Sequence, residues 1–521
     1  MAETALFPDP PPPVPSRRRG AMVMLAGGYL TLALTVVQGL LLVPLYLRYL
    51  GPGMYGAWLA SGDLLGWLAL LQMGIASVVT QRMAAAHGRG ERAALGEYYA
   101  TGLAVQAVLM SILVGLGVLA APFVPGWLGI HGEQARVLSR CFAAAGAATG
   151  LGFMAAVAGS LPLAVQRMTF NAAATLACTL AGLVTTLWLL LSGAGLWALV
   201  WGMLARNGLL LLALAADAAV VVRREGTRMR VRGPVLRDLG SLGGPTLLSM
   251  LGNTAVGRCD AILVAVVFRP ETATVYVLTR RAAEVISMFL ARVGGAVYPG
   301  FAHLVGSGRL PRARQVLAQV DRGYLAAGTL ALALYMALNR SFIELWVGPA
   351  QYGGRLLTVL VGLNVLLVGR AALATYLLGS AGGIRRSSYL IFAEALVRVA
   401  ATLALLVALG MPGVPVAGIA TTAVSAHLAL RWLHRRLGAE RQAAGWRVDT
   451  AWAAYLLLLA GGALAGGARW GHTWAGFVAW AVALGGAGAA VLVALDPAVR
   501  AFVLGRLRAF RAPRAARGGA A

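Results

Sequence analysis

Polar residues in this chain gather in short clusters, and between them run apolar stretches of about twenty residues or more, each long enough to cross a hydrocarbon core as a helix. Such stretches lie near 21–47, 54–80, 98–124, 139–165, 169–191, 195–222, 241–268, 272–300, 322–345, 355–379, 387–409, 411–433, 451–468 and 473–495, which predicts about fourteen transmembrane helices. The connecting segments alternate in character. "RMAAAHGRGER", "RREGTRMRVRGPVLRD", "GSGRLPRARQ", "GGIRRSS", "RWLHRRLGAERQ" and the tail "RLRAFRAPRAAR" are rich in arginine, whereas "SGAGLW", "LGMPGVP" and "RWGHT" carry almost no charge. Arginine-rich loops stay on the cytoplasmic side, so both termini are expected in the cytoplasm of a bacterial cell, with the chain in its inner membrane.

Composition fits this picture. With 59% hydrophobic residues, 12% charged residues and a mean hydropathy of +0.77 over 521 residues, there is too little polar surface for a soluble fold. The formal charge of +26 is spread over the loops between spans, which argues against a nucleic-acid partner and for orientation in the lipid bilayer. The N-terminal "MAETALFPDPPPPVPSRRRG" reads as an uncleaved Pro/Arg-rich tail over residues 1–20. No lysine occurs, so all 44 basic residues are arginine and a P-loop of the GxxxxGK[ST] type is excluded. Cys141, Cys178 and Cys259 lie far apart in apolar helices, where a buried structural role is expected and neither a disulfide framework nor a metal site is supported.

An internal repeat relates residues 82–129 to 302–348 at an offset of about 219. Gly88 and Gly90 match Gly306 and Gly308, Arg92-Ala93 matches Arg312-Ala313, and "FVPGWLG" matches "FIELWVG". Tyr55 and Tyr276 pair at nearly the same offset, and each is followed eight residues later by an acid, Asp63 or Glu284. About six helices separate the copies, an even number, so the halves share one orientation and a pseudo-two-fold axis along the membrane normal. The expected all-α organisation is an N-terminal six-helix lobe at 21–222, a basic cytoplasmic linker at 223–240, and a C-terminal six-helix lobe at 241–434. An extra helix pair at 450–495 and a basic cytoplasmic tail at 496–521 complete it. The glycine runs of the extra pair suit either close helix packing or a lipid-facing groove.

Several spans carry charge. Asp260 lies about nine residues before the "RPET" turn and Arg280 about nine after it, which brings both near the midplane on adjacent antiparallel helices. Arg280 and Arg281 stand four and three residues before Glu284, on one helical face with it, whereas Arg258 and Asp260 point in nearly opposite directions. Arg370, the four-apart pair Glu394 and Arg398, and, in the first half, Asp63 and Arg206 continue the theme. Asp217 reads as structural, and Arg292 suits a snorkelling role as well as a polar one.

A charge at the bilayer centre costs about 2.5–3.5 kcal/mol on insertion scales unless it meets a partner or water. These groups are therefore expected to line a polar cavity, or to be paired charges that lock helix register. Counting Arg292 and Asp217, seven arginines face five acids, which leaves room for an anionic ligand. The planar guanidinium fork suits phosphate or diphosphate. Arg258, Arg280, Arg281, Arg370, Arg398 and Arg206 are the candidate binding residues. Asp63, Asp260, Glu284 and Glu394 would pair with them or bind a coupling cation, H+ or Na+. No other cofactor is expected.

The stretch Tyr46 to Ala84 resembles the N-terminal signature of bacterial polysaccharide flippases, with Leu50-Gly51-Pro52, Tyr55-Gly56 and the "GxxS" turn Gly74-Ile75-Ala76-Ser77. The order Asp260, Tyr276, Arg280, Pro299 looks like that family's second-half pattern. The resemblance implies a two-lobed fold with alternating access, shared with multidrug antiporters and lipid II flippases. It also implies a transporter, not an enzyme, that moves a polyprenyl-diphosphate-linked glycan for O-antigen or exopolysaccharide synthesis. Polymerase or glycosyltransferase partners at the arginine-rich loops would fit such a role, but those loops are read first as orientation signals and contacts for anionic lipid.

Three rival functions follow. The lipid II flippase branch shares the helix count and the cationic cavity. A cation-coupled drug exporter would need an acidic or aromatic site, the opposite of the balance here. A membrane-embedded glycosyltransferase would need paired acids outside, and Glu133 and Glu344 are isolated.

Overall fold

A computed structural model of the protein describes residues 15–68, 70, 75–165, 167–241, 244–438, 473–495 and 500. Outside these residues fall most of the N-terminal tail, the first helix of the extra pair, and all of the C-terminal tail beyond residue 500. The regular structure is helical throughout the described residues. Eight of the described helices are long and apolar enough to cross a membrane, or nine if one bent pair is a single span. The chain is an all-α, multi-pass membrane protein.

Two compact units form. The first holds residues 1–49, 71–126 and 130–243, and the second holds 50–70, 127–129 and 244–521. Residues 50–70 and 127–129, which the sequence places in the first lobe, belong to the second unit. The chain changes direction at Gly51, whose φ of 76° and ψ of 162° break helix α1 (Pro15–Leu68) in two. Glycine tolerates this left-handed value without a Cβ penalty, and Pro52 restarts a helix because its missing N–H is unneeded there.

In the first unit, α1 is followed by α2 (Ile75–Gly88), α3 (Arg92–Ala120), α4 (Gly132–Ala158), α5 (Met168–Leu191), α6 (Trp197–Glu225) and the short α7 (Gly233–Ser241). Small residues let these helices approach closely, as expected in lipid, where apolar area alone does not drive helices together. A Cβ on Gly202 of α6 would strike the Thr186 hydroxyl of α5, and one on Gly150 of α4 would press on Met110 of α3. The basic linker is pinned to this unit: Arg82 holds Asp238 at 2.7 Å, the Tyr98 hydroxyl donates to the same carboxylate, and the Arg232 backbone N–H donates to Thr101.

The second unit contains α8 (Gly244–Arg258), α9 (Asp260–Val267), α10 (Pro270–Gly306), α11 (Leu310–Trp346), α12 (Arg355–Leu378), α13 (Ile384–Leu409), α14 (Gly413–Arg436) and α15 (Trp474–Leu495). The predicted single span at 241–268 is instead bent by 47° between α8 and α9. Asp260 occupies the first turn of α9 after the break, where its negative charge complements the exposed N–H groups of the helix start.

Leu290, Phe301, Leu317, Leu377 and Leu433 bind α10, α11, α12 and α14 into one apolar core. Helix α15 leans on α11 through an aromatic group, with Phe342 stacked on Trp346 and edge-on to Trp474. The repeat is visible in backbone shape. Gly90 and Gly308 both take positive φ, 75° and 71°, in equivalent helix turns, and so do Gly129 and Gly348.

Candidate functional site

Residues 52–68 lie against the start of α10 because glycines remove the side chains that would hold them apart. A Cβ on Gly56 would strike the Pro270 carbonyl oxygen, and one on Gly53 the Glu271 carboxylate. Thr274 then donates its hydroxyl to the Pro52 carbonyl at 2.7 Å. About three turns beyond Gly56, Gly66 makes room for the Arg258 side chain, whose Nη1 lies 3.5 Å from Asp63 Oδ1.

Beside that pair runs a ladder of alternating charge. Asp260 Oδ2 accepts hydrogen bonds from Arg280 Nη1 at 2.8 Å and from the Tyr276 hydroxyl at 3.1 Å. Arg280 Nε donates to Glu284 Oε1 at 2.7 Å, and the guanidinium carbon stands 5.5 Å from the centre of the Tyr276 ring. The other Glu284 oxygen faces Arg281 Nη1 at 3.5 Å. Arg398 Nη2 approaches Asp260 Oδ2 at 3.8 Å from α13. Of the ten candidates read from the sequence, Asp63, Arg258, Asp260, Arg280, Arg281, Glu284 and Arg398 thus come together.

The remaining three stand elsewhere. Arg370 is held by both oxygens of Asp321, an acid not counted among the membrane charges because the span was read as starting one residue later, whereas α11 begins at Leu310. Glu394 accepts from the Thr422 hydroxyl at 2.6 Å and forms no ion pair with Arg398 among the described residues, despite the four-residue spacing. Arg206 lies in the first unit, exposed on α6 beside Gly182, without an ion pair among the described residues. Asp217 is bound by Arg167 at 2.9 Å, and the Arg292 side chain falls outside the description.

The clustered arginines differ in availability. Arg280 is 18% exposed and its donors are taken by two carboxylates, whereas the side chains of Arg281 and Arg258 are 35% and 50% exposed and hold their acids loosely. Sequence reading also missed the brace that fixes Arg280. The carbonyl of Thr279, the preceding residue, accepts from Tyr335 Oη and Asn339 Nδ2, each at 2.9 Å, and the Thr279 hydroxyl accepts from the Gly353 N–H at 2.9 Å. Three hydrogen bonds, two from α11 and one from the loop before α12, therefore converge on the residue before the two adjacent cations. A cluster of this kind can bind and exchange anions; the described residues include no group of three His, Cys, Asp or Glu arranged to hold a metal ion.

Comparison with known proteins follows the same lines. The sequence model of a family described as "Polysaccharide biosynthesis protein" matches residues 144–312. No curated protein matches the chain. Among solved structures, the lipid II flippase MurJ in an inward closed conformation is similar with a TM-score of 0.66 at 11% identity, over 94% of this chain and 100% of that one. An inward-facing multidrug resistance MATE family transporter of the MOP superfamily gives 0.63 at 13%, over 77% and 94%. A mutant of the Vibrio cholerae MATE transporter VcmN gives 0.52 at 16%, over 82% and 99%. At such identities the likeness concerns the fold. The family model thus covers about a third of the chain, residues 144–312, and the solved structures show that the chain shares their fold.

Proposed function

We propose that this chain, a membrane protein with the fold of the MATE transporters and MurJ, flips a polyprenyl-diphosphate-linked oligosaccharide across the bacterial inner membrane for surface polysaccharide synthesis. The observation that carries the reading is the pair of loosely held, half-exposed guanidiniums, Arg258 and Arg281, beside the more tightly held Arg280. A doubly substituted diphosphate brings two negative charges in one group, more than either single carboxylate, and bidentate bonds from arginine favour it over a monodentate acid. The polyprenyl tail stays in lipid, so no covalent chemistry is needed and alternating access suffices. A coupling cation, H+ or Na+, would act at the acids, and the membrane potential contributes about 2.3 kcal/mol per charge per 100 mV.

The test is Arg281→Ala in a strain that exports the glycan. Export should vanish while the protein accumulates normally, and Arg281→Lys should keep part of it, because the charge remains and the fork is lost. Glu284 stays bonded to Arg280 in either variant, so Glu284→Ala should not rescue. Rescue by that second change would assign Arg281 to scaffolding.

Lipid II, carried on the same polyprenyl diphosphate, is the nearest second substrate. Complementation of a strain lacking its own lipid II flippase would favour it. A drug-exporting role fits the cluster less well, since organic cations would meet Arg258 and Arg281 first.

A further inference from the structure

Arg398 is a poor direct ligand for a headgroup. It is 4% exposed, enclosed by α12, α13 and α14, and its Nη1 has no hydrogen-bond acceptor. Two neighbouring polar atoms are in the same condition. The Asn364 amide oxygen lacks a donor, and so does the hydroxyl of Thr402, one turn further along α13 on the same face. Gly418 provides the space these groups share: a Cβ there would strike Asn364 Oδ1 and stand 3.0 Å from the guanidinium carbon of Arg398. Glu394 faces Thr422 instead. A buried cation with an idle donor is expensive to maintain unless another state of the protein supplies a partner.

The nearest carboxylate is Asp260, and it is divided. The same oxygen lies 2.8 Å from Arg280 Nη1 and 3.8 Å from Arg398 Nη2. In this arrangement each two-nitrogen edge of the Arg280 guanidinium has one member already bonded, Nε to Glu284 and Nη1 to Asp260, so neither edge is open for a bidentate phosphate. A phosphate arriving beside Asp260 would also meet like charge, and an acid merely pushed aside would be left buried and unpaired.

We propose that Arg398 is the second seat of the Asp260 carboxylate: when an anionic diphosphate takes the Arg280 donors, Asp260 moves across to the Arg398 fork and fills its idle Nη1. Arg398 is then a positioning residue that acts through Asp260 and does not touch the substrate. This rests on the reading above, in which Arg258 and Arg281 receive the diphosphate, and extends it to the neighbouring Arg280. The exchange keeps the Asp260 carboxylate paired in both states. It also makes the affinity of the site depend on a residue on a neighbouring helix.

The experiment is a double-mutant cycle on the purified full-length protein, with farnesyl diphosphate, a short soluble polyprenyl diphosphate, as the calorimetric probe. Arg398→Leu should weaken binding about tenfold, because Asp260 has nowhere to go and stays on Arg280. Asp260→Asn should bind at least as tightly as the natural protein, since Arg280 is already released. In the Asp260→Asn background, Arg398→Leu should then have no effect on affinity. Arg398→Lys, which keeps a charge but offers no fork, should lose about threefold and only when Asp260 is present; it carries the comparison if the leucine variant accumulates poorly.

An equal loss in both backgrounds, or none in either, would overturn the exchange. Arg281→Ala serves as the separate control. If that variant binds the probe as the natural protein does, the anion site itself has been misassigned, which is a different failure from an Arg398 effect that ignores Asp260.

Discussion

Arg370 on α12 gives Asp321 on α11 both arms of its fork, Nε to Oδ1 at 2.8 Å and Nη2 to Oδ2 at 2.7 Å, with about a fifth of each side chain exposed. Breaking a buried pair from one side costs about 3–5 kcal/mol, here toward the lower end because water reaches part of it. Arg370→Ala should therefore deplete the protein from membranes, and Arg370→Ala with Asp321→Ala should restore much of it. Normal abundance of the single variant with lost export would instead make Arg370 a ligand-binding residue.

The brace behind the cations predicts a second set of effects. Tyr335→Phe removes one of the two hydrogen bonds to the Thr279 carbonyl, a loss of about 1 kcal/mol. Combined with Asn339→Leu, which removes the other, it should lower the melting temperature further and weaken binding of a diphosphate probe, because Arg280 and Arg281 lose their fixed register. A double variant with lowered stability and unchanged affinity would confine the brace to folding.

Two glycines on one helix separate tight packing from open space. A Cβ on Gly56 would strike the Pro270 carbonyl, whereas one on Gly62 meets nothing within 4 Å. Gly56→Ala should destabilise by about 1–3 kcal/mol as the helix is pushed off α10, and Gly62→Ala should be neutral or slightly stabilising. Thermal melts of the two variants in the same detergent check the contrast; equal melting temperatures would mean that residues 52–68 do not dock on α10 in this way.

The orientation read from the arginine-rich loops is open to labelling. Met229, exposed in the linker, can be replaced by cysteine with little strain, and Cys141 and Cys178 are buried. An impermeant maleimide should label Met229→Cys only after the cells are opened, against a background in which Cys259 is replaced. Labelling of intact cells would invert the topology.

The residues legible in the sequence were those whose partners follow from counting. Asp260 and Arg280 stand at equal distance from a turn, and Arg280 and Glu284 are one helical turn apart; both pairs form. The same rule applied to Glu394 and Arg398 fails, because Thr422 on another helix offers Glu394 a hydrogen bond and Asp260 draws Arg398 the other way. Asp321 was hidden by a helix that starts earlier than its apolar run. The Thr279 brace had no signature, since its acceptor is a backbone carbonyl and every residue has one. Asp63 meeting Arg258 depends on the route taken after Gly51, which hydropathy cannot follow.

Helix α15 is attached to α11 through Leu334, Leu338, Phe342 and Leu484. The repeat counterpart of α11 is α3, where Val108, Ile112 and Leu119 stand exposed. In water, stripping α15 from α11 would bare an apolar strip and favour aggregation. In a bilayer the acyl chains are as apolar as the helix they would replace, so what is lost is shape complementarity and not shelter from solvent. The duplicated helices should therefore insert and hold their shape after truncation at residue 438, as α3 does without such a cover. A loss of export in such a truncated but stable protein would then report what the segment does to lipid or cargo.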